Sequence, residues 1–178
     1  MKITDERILK FLDKRLKDYN LDKEKFLNPS ENDLRDAHLM FNMDEAVKKI
    51  RQAISDKKRI LIYGDYDADG ICSSTILYLF LKSQGADVNV FIPSRFEHGY
   101  GISDVAIETI ESLYSPELII TVDLGITAVE EVELLKQEGI DVIVTDHHIP
   151  LQEIPNTIVV DPKLDPEGKY GFDALCGA

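Results

Sequence analysis

The chain reads as a doubly wound α/β domain: a mainly parallel five-stranded sheet with flanking helices and an N-terminal helical segment. Three observations predict it. From residue 59 onward, short Val/Ile/Leu runs alternate with stretches of helical period, the order that builds strand–helix–strand units. The runs are apolar almost throughout, which signals strands covered on both faces and hence parallel pairing. Gly85 and Gly139 each stand just past a helical stretch, where a glycine closes a helix C-terminus.

The elements follow in order. Residues 4–19 carry Ile8, Leu9, Leu12 and Leu16 on one helical face, with Thr4 as the cap. Asn28-Pro29-Ser30 is a turn, and Ser30 caps a short helical piece from Glu31. Asp44 is expected to cap a helix to about Ser55, with the stripe Ala46, Val47, Ile50 and Ile54. Residues 1–57 are therefore read as an N-terminal helical flank and residues 58–178 as the α/β domain. Within the latter the expected strands are 59–64, 87–92, 117–122, 140–145 and 157–160, and the expected helices 70–84, 103–113 and 126–138. Cys72, on the apolar first helix, is expected to be a small core residue.

Composition narrows the function classes. The 178 residues, 44% hydrophobic and 30% charged, suffice for one well-buried core. A formal net charge of −13 argues against gripping a phosphate backbone by bulk electrostatics. Cys72 and Cys176 are far apart, form no CxxC pair, and suggest neither a disulfide framework nor a zinc site. No apolar run approaches the roughly 20 residues of a membrane span, and Met1 to Arg7 is charged where a signal peptide needs its apolar run. A cytoplasmic protein without a membrane partner is expected.

The unusual polar residues gather at strand ends. Asp65, Asp67 and Asp69 follow the first expected strand, Asp123 the third, and Asp146, His147 and His148 the fourth. Ligands of such sheets bind beyond the carboxyl ends of the strands. Three acids within five residues repel one another, and a divalent cation is the usual compensation. An Asp-rich set with imidazole and no thiolate suits Mn²⁺ or Mg²⁺. Shared carboxylates suggest two ions about 3.5–4 Å apart, the arrangement used in phosphoryl displacement. Adjacent His147 and His148 cannot point the same way from an extended backbone, so one is read as a ligand and the other as a supporting or substrate-contacting group. The bland readings are a solvated acidic turn and satisfied core histidines; convergence of three strand ends weighs against both.

Other motifs fail on the letters. Asp65-x-Asp67-x-Asp69-Gly70 matches the first half of an EF-hand loop, but its twelfth position is Ile76 where a bidentate Glu is needed. A phosphatase with Asp65 as nucleophile leaves Asp146, His147 and His148 without a role. A dinucleotide-binding turn needs more glycines than Gly64 supplies.

Tyr63-Gly-Asp-Tyr-Asp-Ala-Asp-Gly70, Thr121-Val-Asp-Leu-Gly-Ile126 and Val144-Thr-Asp-His-His148 resemble motifs I, II and III of the DHH phosphoesterase superfamily. Phe26-Leu-Asn-Pro-Ser30, the helix of residues 43–54 and Pro93-Ser-Arg-Phe-Glu-His-Gly-Tyr-Gly101 resemble segments of its RecJ family of single-stranded-DNA-specific exonucleases. The resemblance implies 5′-to-3′ degradation of single-stranded DNA in repair and recombination, by a water activated by two Mn²⁺ or Mg²⁺ ions. It makes Asp67, Asp69, Asp123 and His147 metal ligands, Asp65 a nearby acid of the site, His148 the group that meets the scissile phosphate, and Asp146 the brace of the third motif. Arg95 becomes a candidate phosphate contact and Tyr100 a candidate stacking residue.

Leu124 departs from the small or polar residue often found there, and should change packing beside Asp123. Tyr63 stands where the branch that degrades short oligonucleotides carries a ligating His. Family members continue past Leu175–Ala178 to another metal-binding Asp and a substrate-binding domain. The chain is thus expected to be the N-terminal part of a larger enzyme, weakly active or inactive alone, with single-stranded DNA, its own C-terminal domain and repair or replication proteins as partners. Asp161, which precedes Pro162, is not assigned. The alternatives are a DHH-type hydrolase of small nucleotides and a non-catalytic DNA-binding scaffold.

Overall fold

The computed structural model describes residues 5–18, 21–94 and 101–178. The chain forms two compact units, Met1–Asp36 and Ala37–Ala178. In the first unit, helix α1 spans Glu6–Asp18 and α2 spans Lys23–Leu27. The Thr4 cap expected for α1 lies outside the described residues. Asp22 caps α2 by accepting from Lys25 N at 2.9 Å. Ser30 starts the short 3₁₀ turn Glu31–Asp33, its N–H and hydroxyl both donating to Asp33 Oδ2 at 2.9 and 3.0 Å.

The second unit holds α3 (Met43–Ser55), β1 (Arg59–Gly64), α4 (Ala68–Ser83), β2 (Asp87–Phe91), α5 (Asp104–Tyr114), β3 (Leu118–Val122), α6 (Val129–Gln137), β4 (Asp141–Thr145) and β5 (Ile158–Val160). The five strands form one sheet in the order β2-β1-β3-β4-β5, and every neighbouring pair is parallel. The expected α/β class and five-stranded parallel sheet are what the structure has. Alternation along each strand divides the core. Ile60, Ile62, Ile120 and Ile143 pack with Ala46 and Ala53 of α3 and Leu81 of α4; Leu61, Tyr63, Ile119 and Val144 pack with Ile110 of α5 and Leu135 of α6. Helices therefore cover both faces, which explains the continuous apolar strands.

Three local expectations change. Asp44 does not cap α3: the chain enters from Asn42, which adopts a left-handed φ of 62° that Asn tolerates better than most residues. Asn42 instead sends its side-chain amide to Val159 O at 3.0 Å, tying the start of α3 to β5. Helix α4 begins at Ala68 because Asp67 caps it, accepting from Gly70 N at 3.0 Å. Cys72 is exposed, on an outer face of α4 that also shows Ile71, Ile76, Leu79 and Phe80. An apolar sequence all round this helix gave no means of telling its core side from its outer side. Gly85 and Gly139 do follow α4 and α6 with φ of 78° and 82°, as the helix-closing glycines expected there.

Candidate metal centre

The sheet register levels the strand ends. Gly64 pairs with Val122, Val122 with Thr145, and Thr145 with Val160. The next residue on each strand is an aspartate: Asp65, Asp123, Asp146 and Asp161. One further rung holds them in a row, with Asp65 N donating to Val122 O, Asp123 N to Thr145 O and Asp146 N to Val160 O. All four are buried, Asp123 and Asp161 to 1% exposure. Four adjacent buried carboxylates are costly unless something compensates their charge.

Two groups of ligand atoms converge on this row. Asp65, Asp67 and Asp123 offer oxygens that all lie within 4.8 Å of one another, and so do Asp123, His147 and His148 with their ring nitrogens. Asp123 belongs to both. Its φ is 65°, a left-handed conformation that Asp, like Asn, adopts more readily than most residues. Burial first, and then the neighbouring Asp67, push its carboxyl up to about 6. Asp67 is exposed and is held below its ordinary range, chiefly by the Gly70 N–H it accepts. Gly70 is required here because a β-carbon would collide with the backbone of Asp65.

The imidazoles are oriented by their far nitrogens. His147 Nδ1 donates to Leu175 O at 2.9 Å and His148 Nδ1 donates to Asp146 Oδ1 at 2.7 Å. This leaves Nε2 of each ring to face the site, and for His147 it is the arrangement of a histidine that binds metal. Nε2 of His147 lies 3.0 Å from Asp123 Oδ1, yet neither carboxylate oxygen of Asp123 has a hydrogen-bond donor. A divalent cation between the His147 ring and the Asp123 carboxylate would give both a positive charge to face. The donor set is hard oxygen plus imidazole, with no thiolate, and fits Mn²⁺ or Mg²⁺.

Asp146 accepts four hydrogen bonds: Ile126 N at 2.9 Å, His147 N at 2.7 Å, His148 N at 3.1 Å and His148 Nδ1 at 2.7 Å. The first ties the Leu124–Ala128 connection to the third motif, and α6 starts after it at Val129 and not at 126. Burial is the largest single influence on His148 and lowers its pKa, but the bond to Asp146 and the charges of Asp146, Asp123 and Asp65 together outweigh it, and the ring ends above its ordinary value.

The remaining site residues separate. Asp69 belongs to neither group; its Oδ2 accepts from Gly177 N at 3.3 Å. Arg95 and Tyr100 lie outside the described residues. Leu124 is buried in the core beside Asp123, and its carbonyl accepts from Thr121 Oγ1 at 2.8 Å. Tyr63 is fully buried and donates its hydroxyl to Gly101 O at 2.9 Å. Asp161 is not assigned from the sequence, where Pro162 follows it. The signal was its place one residue past a strand end, level with the other three. Its Oδ1 accepts from Lys163 N at 2.7 Å, its Oδ2 has no donor, and burial raises its pKa. Lys163 Nζ reaches the carbonyl of His147.

The fold and this rim define an α/β protein of the doubly wound class with a carboxylate–imidazole centre at the carboxyl ends of its strands. The chain belongs to the DHH family: residues 59–178 match the family's N-terminal domain. It is 44% identical over 153 residues to the single-stranded-DNA-specific exonuclease RecJ of Bacillus subtilis, an alignment covering 85% of this chain and 19% of that protein. Among solved structures it resembles exonuclease RecJ bound to manganese, at 42% identity and a TM-score of 0.66 over 72% of this chain and 33% of the other. It also resembles RecJ of Thermus thermophilus in complex with Mn²⁺, at 33% identity and a TM-score of 0.70 over 91% of this chain and 22% of the other. The chain thus spans about a fifth of the length of the curated relatives it matches.

Proposed function

We propose that the chain is the metal-holding part of a nuclease that hydrolyses phosphodiesters of single-stranded DNA, in the cytoplasm and in DNA repair or recombination. The 5′-to-3′ polarity is the one its motif resemblance implies. The observation that carries the reading is Asp123: a fully buried carboxylate without a donor, common to two ligand groups. The likeness to RecJ proteins, two of them described with manganese bound, supports both the substrate and the ion.

In this reading Asp65, Asp67, Asp123 and His147 hold Mn²⁺ or Mg²⁺. Bound ions would supply Lewis-acid charge to the phosphate and to the attacking water. Leu175 O fixes His147 so that Nε2 faces Asp123. His148, kept protonated more readily by Asp146, turns its Nε2–H to a phosphate oxygen and stabilises charge that grows during attack. Asp146 holds both the third motif and the Leu124–Ala128 connection in place through its four donors. Asp69, with its contact to Gly177, is read as a positioning acid. Arg95 and Tyr100 remain the proposed phosphate and base contacts of the strand.

The test is hydrolysis by this chain of 5′-labelled single-stranded DNA, its duplex and a dinucleotide, each with Mn²⁺. Slow, ion-dependent shortening of the single strand, lost in Asp123→Ala and His148→Ala, is expected. Preferential cleavage of the dinucleotide would favour the small-nucleotide alternative. Single-strand binding without Mn²⁺ uptake by the parent chain would favour the scaffold.

A further inference from the structure

Beside His148, on the α6 side of the rim, lies a cavity of about 470 Å³. Ile102, Leu124, Ile126 and Ala128, all buried core residues, give it an apolar lining, and Glu131 of α6 also lines it. No Lys or Arg is among its described lining residues. His148 and Asp146 form part of its wall, so the cavity opens directly onto the proposed phosphate-contacting ring. Of the residues assigned to the site, only Asp146 and His148 border this space.

We infer that this cavity holds the nucleoside of the nucleotide whose phosphate meets His148. The inference rests on the nuclease reading and adds the place of base and sugar to it. The chemistry selects the occupant. An apolar wall of this size suits a flat ring removed from water. The Glu131 carboxylate is an acceptor for a base amine or sugar hydroxyl. The one cationic group on the described lining is the His148 ring, so phosphate stays at that ring and away from the Glu131 carboxylate. The cavity therefore takes the neutral half of a nucleotide and leaves the anionic half to His148 and the ions. A chain of net charge −13 gains affinity for a polyanion in this way without a basic surface.

The probe is dAMP, added to the 178-residue chain with diamagnetic Mg²⁺ and followed by methyl NMR of Ile102, Leu124 and Ile126. Inorganic phosphate is the control, and Mn²⁺ affinity is read separately by calorimetry. The expected result is that dAMP shifts these methyl signals and inorganic phosphate does not. Glu131→Ala should weaken dAMP binding about tenfold, the loss of one hydrogen bond to a charged acceptor, while leaving Mn²⁺ affinity unchanged. Should dAMP perturb only the His147 and His148 rings, or bind Glu131→Ala as it binds the parent chain, the cavity is not a nucleoside site. In that event intact Mn²⁺ binding would leave the nuclease reading standing. Loss of Mn²⁺ binding from the unaltered chain would instead remove the reading on which the inference rests.

Discussion

Gly177 donates its backbone N–H to Asp69 Oδ2, 3.3 Å away and 108 residues earlier in the chain. The same glycine lies so close to Asp123 that a β-carbon on it would overlap the Asp123 carboxylate. Residues 175–177 therefore touch three motifs at once, since Leu175 O also receives His147 Nδ1.

Gly177→Ala is expected to displace the Asp123 carboxylate and to lower Mn²⁺ affinity about 10–100-fold, the range for groups that orient metal ligands. Calorimetric titration with Mn²⁺ reads the effect, and far-UV circular dichroism should show the sheet and helices retained. Unchanged affinity would mean that the Asp123 carboxylate can move aside without consequence.

Asp146→Asn removes the charge that faces the His148 ring while keeping the side chain's size. The His148 pKa, now raised against the effect of burial chiefly by this carboxylate, should fall, as followed by NMR titration of its ring protons. Stability should drop by about 1–3 kcal/mol in urea, because four donors converge on this buried acceptor and Asn cannot accept from all of them. A ring that titrates as before would exclude Asp146 as the source of the shift.

The pH dependence follows from Asp123, whose carboxyl burial and Asp67 push up to about 6 from an ordinary 3.8. Between those values the folded chain keeps a proton that the unfolded chain has released. The contribution of this group to metal-free stability is thus complete below the lower value and is lost as pH rises through about 6. Mn²⁺ binding has the opposite slope, because the ligand must be ionised. Urea midpoints across this range, with and without Mn²⁺, should diverge as pH rises. Parallel curves would show that Asp123 is not the linked group.

The sheet was legible because its strands are apolar throughout, and all five fall within a residue or so of their expected places. The acids at strand ends were legible for the same reason, since parallel pairing sends every carboxyl end to one rim. Which acid does what was less so. Asp67 and Asp69 are two residues apart, and the cap geometry that begins α4 at Ala68 sends one toward Asp123 and the other toward Gly177. The residues before α6 are held by a bond between Ile126 and a residue 20 positions later, which local periodicity does not encode. Asp161 needed the register of β4 and β5, whose pairing brings Val160 level with Thr145.

The central claim is that Asp123 is the shared anchor of a divalent-ion centre. Calorimetric titration of Mn²⁺ into the parent chain and Asp123→Ala tests it most directly. Saturable binding by the parent chain, weakened more than about a hundredfold in the variant, is the result this structure calls for. Equal Mn²⁺ affinity in the two proteins would contradict it.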